Sequence, residues 1–493
     1  MSVVLAIDQG TTGTTALALS PDGAVLGRGH RAIQQHFPEP GWVEHDPGEL
    51  FRSTLEAGRD ALAEAGERPA ALGLTNQRET VVLWDRRTLA PVAPAIVWQD
   101  RRTAARCREL RDAGHEPEVR RRTGIVLDPY FSATKVEWML RNPDLRRRAG
   151  RGELAVGTVD AWLVARLTDG RVHATDPTNA SRTLLYDLDT HDWSDDLLAL
   201  FDVPRELLPA LVPSAGVIGE ADAAHFGAPV PIAGLAGDQQ AALFGQACTA
   251  PGESKNTYGT GAFLLVQAGS ARPEAAPGIL VTAACGPGGE RSFALEGSVF
   301  IAGAAVQWLR DGLGLVDAAG DTEALARSVA DTGGVHFVPA FVGLGTPHWE
   351  PEARGTITGL TRGTGRAHLA RAALEAMAFS CADLLDAMAG GAGLPVPALR
   401  VDGGAAANDW LMQFQADVLG LPIERPALLE TTALGAGFLA GIGIGQWREP
   451  GEVPGRTGGT RFEPTLDSAA RTRLRAGWAR AVGAALHWAR TRP

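Results

Sequence analysis

The chain has 493 residues, of which 45% are hydrophobic and 21% charged, so it has enough apolar material for large buried cores and is not a disordered chain. Because a single core stops growing near roughly 250–300 residues, we expect two domains. The formal net charge of −11 has the wrong sign for neutralising a phosphate backbone, so nucleic acid is not an expected partner.

Three features predict a cytoplasmic protein without a membrane span. The first eight residues, Met1 to Asp8, contain no basic stretch and predict a buried strand, not a signal peptide. The later apolar stretch, residues 433–445, is too short and too rich in glycine for a span of about 20 residues. The four cysteines form no CxxC pair, so they indicate neither a disulfide framework nor a zinc site.

The first predicted elements are two strands joined by a polar turn. Residues 3–7 and 14–19 are apolar runs, and the segment between them is Asp8-Gln9-Gly10-Thr11-Thr12-Gly13. A turn of glycine and hydroxyl residues offers backbone N–H groups to an anion. Further strand patterns at residues 71–75 and 80–83, alternating with helical patterns, predict an α/β fold.

A similar order recurs past the middle of the chain and predicts two related halves. Residues 255–261, with the sequence KNTYGTG, precede the strand-like residues 262–266. Residues 248–252 interrupt a helical run. We therefore divide the chain into domains at 1–246 and 247–493.

Two more elements follow in the second half. A third glycine turn, residues 401–405, is predicted to open a helix that runs through Trp410 and Gln415. Residues 467–490 have the spacing of a terminal amphipathic helix.

Phosphoryl transfer needs phosphate cradles, a carboxylate that handles magnesium and a base for the accepting hydroxyl. Asp8 ends a predicted buried strand beside the first glycine turn, where it can hold the water shell of Mg²⁺. Taken alone, an acid followed by a glycine turn is equally typical of an ordinary hairpin. The three turns together favour a nucleotide site divided between the halves.

The three turns, in this order, resemble the phosphate-1, phosphate-2 and adenosine motifs of the sugar kinase, heat-shock chaperone and actin superfamily. Residues 130–139, YFSATKVEWM, and residues 355–360, GTITGL, continued by residues 368–375, resemble the two signatures of the FGGY carbohydrate kinases. The resemblance covers nearly the whole chain. It implies two actin-like, ribonuclease H-like α/β domains with the nucleotide and substrate bound in the cleft between them.

Three further segments resemble those by which glycerol kinases differ from other FGGY kinases. They are residues 76–80 (NQRET), 98–102 (WQDRR) and 236–245 (AGDQQAALFG). The resemblance implies ATP-dependent phosphorylation of glycerol to sn-glycerol 3-phosphate with Mg²⁺. It also leads us to expect a homodimer or homotetramer. The alternatives are an FGGY kinase for another polyol or ketose and, in a different class, an actin-like or chaperone-type ATPase.

The residue types of these segments suit a small triol. Arg78 and Glu79, which we expect at the end of a strand, offer a fork of donors and a strong acceptor that can fix two adjacent hydroxyls. Tyr130 can add a hydroxyl contact, while Trp98 and Phe263 can cover the carbon backbone. A lone Arg–Glu pair is also typical of a surface ion pair, and each aromatic residue taken singly is more often core.

Asp238 follows an apolar strand pattern at residues 231–236 and precedes two glutamines. By resemblance it is the general base for the attacking hydroxyl, and Gln239 holds a neighbouring hydroxyl. Asp238 is also a good helix N-cap, and a capping position would hold its carboxylate rigidly.

The resemblance implies the remaining nucleotide and metal contacts. Asp8 and Asp238 handle Mg²⁺, largely through water, and Thr11 also borders the substrate. The residues expected at the nucleotide are Thr11, Thr12, Gly13, Thr260, Gly303, Gln307, Gly404 and Asn408.

Two departures from the glycerol kinase pattern stand out. Glycerol kinases commonly carry an arginine shortly after the first turn, whereas this chain has Thr15. The stretch that receives fructose 1,6-bisphosphate in the enterobacterial enzymes here reads AAHFGAPV, residues 223–230, without arginine or lysine. His225 lies in that stretch and resembles the histidine that the histidine phosphocarrier protein phosphorylates in Gram-positive relatives, although a lone surface histidine is equally typical of such a connection.

Overall fold

The computed structural model of the chain describes residues 2–448, 452 and 459–491, without the side chains of Ser2 and residues 389–392. Within these residues, two large mixed sheets and a four-stranded sheet form the framework, together with three two-stranded sheets. The two large sheets come from different parts of the chain, and helices cover them. The α/β architecture expected from the sequence is therefore confirmed.

The first large sheet is built from strands that all precede α10. The strands up to this point are β1 (Ser2–Gln9), β2 (Gly13–Leu19), β3 (Val25–Ala32), β4 (Glu44–His45), β5 (Arg68–Asn76), β6 (Val81–Asp85), β7 (Ala95–Ile96), β8 (Leu154–Thr158), β9 (Ala174–Thr175), β10 (Tyr186–Asp187), β11 (Asp192–Trp193), β12 (Ala210–Leu211), β13 (Ala215–Ala221) and β14 (Val230–Gly237). Six of them form a sheet in the order β13-β14-β5-β1-β2-β3, in which β14, β5 and β1 are parallel. The carboxyl ends of these three strands therefore meet at one edge.

The second large sheet repeats this plan. Its part of the chain contains β15 (Ser254–Tyr258), β16 (Ala262–Gly269), β17 (Leu280–Ala283), β18 (Phe293–Val299), β19 (His336–Val338), β20 (Thr356–Thr358), β21 (Leu399–Gly403), β22 (Ile423–Arg425) and β23 (Thr460–Phe462). Seven of these strands form a sheet in the order β17-β18-β16-β15-β21-β22-β23. As in the first sheet, the leading strand pairs antiparallel with its hairpin partner and parallel with a later strand, β21.

The helices cover the faces of both sheets. They are α1 (Pro47–Ala65), α2 (Ala104–Asp112), α3 (Glu116–Thr123), α4 (Ala133–Leu140), α5 (Pro143–Gly150), α6 (Val159–Leu167), α7 (Pro177–Ala180), α8 (Asp195–Leu200), α9 (Ala223–Phe226), α10 (Asp238–Gly245), α11 (Gly303–Gln307), α12 (Asp321–Arg327), α13 (Arg366–Ala392), α14 (Asp409–Leu419), α15 (Thr431–Gly443) and α16 (Ser468–Arg490). The predicted terminal helix is confirmed as α16, which Asp467 caps by accepting from the Ala470 N–H.

Two sequence-based boundaries were wrong. Arg78 and Glu79 do not end a strand, because β5 stops at Asn76 and both residues lie in the turn that follows. The helix after the third glycine turn is not continuous either. A short 3₁₀ segment, Gly404–Ala407, comes first, and α14 starts only after Asn408.

Helix α15 packs on the first large sheet although it follows the second sheet in sequence. It covers β1, β5 and β14 and crosses α10 closely. Glycines make this approach possible. A Cβ at Gly435 would overlap the Ala241 carbonyl oxygen of α10, and a Cβ at Gly73 of β5 would overlap the Ala436 carbonyl oxygen of α15. Backbone therefore contacts backbone where the two parts of the chain meet.

No helix in the described ranges is long and apolar enough to cross a membrane. The cysteines Cys107, Cys248, Cys285 and Cys381 are all buried and unpaired.

The crossing of α10 and α15 gives a stability prediction. We expect Gly435→Ala to lower the free energy of unfolding by about 1–3 kcal/mol, since the new methyl group has no space against Ala241. Gly483→Ala is the matched control, because Gly483 lies on α16 with nothing within 4 Å of the added carbon. Helix propensity should make that variant more stable by about 0.5–1 kcal/mol. Urea unfolding of both variants measures these changes. Equal changes in the free energy of unfolding for the two variants would contradict the tight packing at Gly435.

Candidate functional site

The carboxyl ends of the three parallel strands bring the predicted catalytic residues together. Asp8 lies near the end of β1 and pairs in register with Thr75 of β5, which in turn pairs with Ala236 of β14. Asp238 follows β14 directly as the first residue of α10. Its N-cap is Gly237, so the N-cap role considered for Asp238 was wrong.

Hydrogen bonds within the first glycine turn and from Gln77 hold this turn in place. The Gly10 N–H donates to the Gly13 carbonyl at 2.9 Å, and Gln77 contributes two bonds, from its N–H to the Gln9 carbonyl at 2.8 Å and from its side-chain amide to the Gly10 carbonyl at 3.1 Å. Thr12 is exposed at the tip of the turn. The turn is thus rigid and open to an anion on its outer side.

Three carboxylates converge beside this turn. Burial, together with the charges of Asp238 and Asp402, raises the pKa of Asp8 to about 8. One carboxylate oxygen of Asp8, Oδ1, is buried without a hydrogen-bond partner. Asp8 therefore lies near two other acidic groups, and among the described residues no side chain donates to its Oδ1.

Asp402 is an acidic residue of the site that the sequence analysis did not assign. It lies in β21 of the second sheet, and its Oδ2 accepts from Gln246 at 2.7 Å and from the Thr431 hydroxyl, while its Oδ1 has no partner. A signal was available, because Asp402 precedes a glycine turn at a strand end just as Asp8 does. The turn was identified, but its acid was not assigned a role.

These carboxylates suit a magnesium ion held through water. Within the described residues, no group of three or more histidine, cysteine or acidic side chains is close enough to form a complete metal cage. Mg²⁺ usually keeps several waters and takes only one or two carboxylates. The unpartnered oxygens of Asp8 and Asp402 match that mode of binding.

Asp238 is close to two cations. Its Oδ1 lies 3.1 Å from Arg78 Nε and accepts from the Gln239 N–H at 2.7 Å. Burial raises the pKa of Asp238, whereas Arg78 and Lys255 act against that rise. The carboxylate is therefore a better proton acceptor than an exposed aspartate while the cations keep it ionisable.

Lys255, which was not predicted, ties Gln239 to the second sheet. Its ammonium group donates to the Gln239 side-chain carbonyl and to Thr257 Oγ1 at 2.7 Å. Burial lowers the pKa of Lys255 to about 8, against the charges of Asp402 and Asp238. The only other lysine, Lys135, is also fully buried and donates to the Tyr130 carbonyl at 2.7 Å.

Arg78 and Glu79 belong to a buried network of two arginines and two glutamates. Arg78 binds Glu296 of β18 through two bonds, at 2.6 and 2.8 Å. Arg182 donates to Glu79 at 2.6 Å and to Glu296 at 2.9 Å. Burial alone would raise the pKa of Glu296, but Arg182 and Arg78 hold it below its ordinary value.

Two buried donors of this network make no hydrogen bond within the chain. They are Arg182 Nη1 and Arg78 Nε, the latter in ion-pair contact with Asp238. Beside them, Glu79 adopts a left-handed backbone with φ of 61°, unusual for a residue with a side chain. Buried donors without partners are rare in proteins and indicate a polar ligand.

Sequence reasoning missed Arg182 and Glu296. For Glu296 a signal existed, since it is the acid inside the otherwise uncharged strand FALEGSV, residues 293–299. An acid at such a position indicates a buried ion pair.

Aromatic side chains lie beside the network. Trp98 has its ring centroid 5.5 Å from that of Tyr130 and 6.1 Å from that of Phe263, both edge-on. The Trp98 indole N–H donates to the Thr11 hydroxyl at 2.8 Å. These contacts bring Trp98, Tyr130, Phe263 and Thr11 together.

The second glycine turn is also closed by a backbone hydrogen bond but is one residue shorter than the first. The Gly259 N–H donates to the Gly261 carbonyl at 2.8 Å, and Thr260 is exposed at its tip. Gly303 donates to the Gly259 carbonyl at 3.0 Å and opens α11, which ends at the exposed Gln307.

The third turn lies beside the second turn. Gly403 has φ of 82°, and a Cβ there would overlap the Tyr258 carbonyl oxygen, whereas Gly404 faces open space. Asn408 caps α14 by accepting from the Leu411 N–H at 2.9 Å.

His225 lies away from these groups. It is in the short helix α9, and its ring packs edge-on against Phe51 with centroids 5.5 Å apart. Arg59 donates to the His225 carbonyl at 2.9 Å. Burial lowers the pKa of the half-buried imidazole.

Comparison with known proteins identifies the family. The N-terminal domain of the FGGY family of carbohydrate kinases matches residues 3–245, and the C-terminal domain of that family matches residues 254–444. Proteins named glycerol kinase from Aromatoleum aromaticum and Leptothrix cholodnii are each 55% identical to the chain, covering 99% and 98% of it and 99% of their own length.

Solved structures agree. The crystal structure of Plasmodium falciparum glycerol kinase with ADP superposes with a TM-score of 0.91 at 33% identity, covering 99% of this chain and 98% of that one. Xylulose kinase from Rhodospirillum rubrum superposes with a TM-score of 0.82 at 28% identity, covering 98% and 99%. The chain therefore belongs to the FGGY family of carbohydrate kinases and, within it, to the glycerol kinases.

Proposed function

We propose that the enzyme transfers the γ-phosphoryl group of ATP to glycerol, forming sn-glycerol 3-phosphate and ADP. The observation that carries this function is the pair of buried donors that make no hydrogen bond within the chain, Arg78 Nε and Arg182 Nη1, beside the acceptors Glu79 and Asp238. Alternating donors and acceptors match the hydroxyls of a small polyol. Identity of up to 55% to glycerol kinases over nearly the full chain supports glycerol as that polyol.

In the reaction, Asp238 acts as the general base. Its carboxylate accepts the proton of a primary hydroxyl of glycerol while the hydroxyl oxygen forms a bond to the γ-phosphorus. The bond between that phosphorus and the bridging oxygen of ADP breaks, and ADP leaves with the electron pair. Gln239, oriented by Lys255, holds a neighbouring hydroxyl, and Trp98, Tyr130 and Phe263 shield the carbon chain from water.

The nucleotide binds between the glycine turns. Thr11, Thr12 and Gly13 contact the phosphates from the first sheet and Thr260 from the second, whereas Gly303, Gln307, Gly404 and Asn408 border the adenosine. The exposed turn tips and the open space at Gly404 support this placement. Asp8, with Asp238 and Asp402 nearby, would hold Mg²⁺ through water, and the bound ion would neutralise charge on the phosphates.

The setting of the enzyme is also a proposal. We expect it to work in the cytoplasm as a homodimer or homotetramer. The reduced, buried cysteines fit such a compartment.

Measuring ADP release with glycerol, dihydroxyacetone, erythritol, xylulose and gluconate tests the substrate. Glycerol should give the highest kcat/KM. A higher kcat/KM with another polyol would identify that polyol as the substrate in place of glycerol. ADP release without any acceptor would favour an actin-like or chaperone-type ATPase.

The general base gives a second prediction. We expect Asp238→Asn to lower kcat by about 10²–10⁴-fold with little change in ADP affinity, since the amide keeps the shape but accepts no proton. Asp195→Asn is the control, because Asp195 also begins a helix but has an exposed side chain. An Asp238→Asn enzyme that keeps more than about a tenth of the rate would exclude Asp238 as the base.

The raised pKa of Asp8 gives a third prediction. The folded protein holds the Asp8 proton up to about pH 8, whereas the unfolded chain releases it near 3.8, so stability from this group falls as pH rises between these values. Without Mg²⁺, Asp8→Asn should therefore gain stability relative to wild type from pH 5 to pH 8.

The same variant should need far more Mg²⁺ for half-maximal activity. Thermal unfolding at both pH values, with exposed Asp144→Asn as control, measures the stability effect. The difference in stability between wild type and Asp8→Asn should change between the two pH values. If this difference is the same at both, the raised pKa of Asp8 is contradicted.

His225 remains a proposed site of phosphorylation by the histidine phosphocarrier protein. The packing of its ring against Phe51 means that a phosphate there would disturb the contact between α9 and α1. Incubation with phosphoenolpyruvate, enzyme I and the phosphocarrier should label wild type but not His225→Ala, and raise activity only in wild type. Absence of label, or clear inhibition by fructose 1,6-bisphosphate, would reject this regulation.

A further inference from the structure

Asp8, Thr15 and His30 form one row across the first large sheet. Asp8 of β1 is the register partner of Thr15 in β2, and Thr15 is the register partner of His30 in β3. Directly opposed residues point to the same face of a sheet. Because neighbouring strands lie about 4.8 Å apart, His30 and Asp8 are about 10 Å apart across that face.

This face leads to the phosphate turn. The alternate residues of β3 point the other way, as a Cβ on Gly29 would overlap the Ala57 carbonyl of α1, and Arg31 pairs with Glu56 and Asp60 of α1. His30 therefore points away from α1. Its side chain is exposed.

The imidazole of His30 lies against the first glycine turn. A Cβ added to Gly13 would be 2.7 Å from His30 Cε1 and 3.1 Å from Nε2. Glycine at position 13 therefore makes room for the ring. The Thr15 hydroxyl lies 3.2 Å from His30 Nδ1, and when it donates to that atom, Nε2 carries the ring proton beside the turn.

Among the basic side chains of residues 2–32, His30 is the one that forms no ion pair with a carboxylate. Residues 2–32 contain three basic residues, Arg28, His30 and Arg31. Arg28 pairs with Glu430, and Arg31 is held by α1. The turn itself has no basic side chain, and Thr15 stands where a guanidinium was expected from the sequence.

We propose that His30 binds the phosphate chain of the nucleotide, donating from Nε2 to a phosphate oxygen above the Gly10–Gly13 turn. This inference rests on the proposed function, because it assumes that a nucleoside di- or triphosphate occupies that turn. His30 thus supplies from β3 the donor that β2 lacks. The role is phosphate binding, not proton transfer to the accepting hydroxyl.

Substitution of His30 in the full-length enzyme tests the proposal. His30→Ala should raise the KM for ATP and the Kd for ADP about 10- to 150-fold, as expected for loss of one hydrogen bond to a charged group. The KM for glycerol and the inhibition constant of adenosine, which has no phosphate, should change less than about twofold. His30→Gln keeps an N–H donor and should restore most of the affinity for ADP.

His36→Ala is the matched control, since His36 is exposed and follows the same strand. Unchanged ADP affinity in His30→Ala, an equal loss for adenosine and ADP, or a glutamine variant as weak as the alanine variant would each overturn the proposal. ADP binding by calorimetry needs no turnover. A wild-type enzyme that binds ADP but phosphorylates no glycerol would therefore reject the proposed function and still allow the His30 test.

Discussion

The buried ion network of Arg78, Glu79, Arg182 and Glu296 is the interaction on which the site depends. Its charges sum to zero, and each carboxylate accepts at least one bond from an arginine. Removing one member of such a pair costs about 3–5 kcal/mol, because the partner charge stays buried. Arg78 and Glu79 follow the first sheet, whereas Glu296 lies in the second. The network therefore connects the two sheets at the site proposed for the polyol.

The glycine-lined crossing of α10 and α15 supports the same junction from the other side. Asp238 begins α10, and Thr431, which begins α15, donates to Asp402. Each helix thus starts at one of the carboxylates of the site and then contacts the other helix through backbone.

Much of the fold and part of the candidate site could be predicted from the sequence. Strand patterns, glycine turns and the terminal helix followed from local residue spacing, and the motifs identified Asp238, Arg78 and Glu79. The partners of Arg182, Lys255 and Glu296 could not be found in this way, because these contacts join residues that are far apart in the chain. The packing of α15 on the first sheet is of the same kind. Local sequence patterns predict helices and strands, whereas contacts between residues of the two sheets are seen only in the three-dimensional structure.

The burial of both lysines has a chemical consequence. Lys135 and Lys255 are the two lysines of the sequence, and both are fully buried. Every other basic side chain is an arginine or a histidine. Amine-directed acylation, whether by cellular acetyl donors or by laboratory esters, therefore has no side-chain target on the closed protein. Lys255 links the two sheets through its bond to Gln239, so its amine becomes accessible only when that contact opens. Its modification would thus record how often the junction opens.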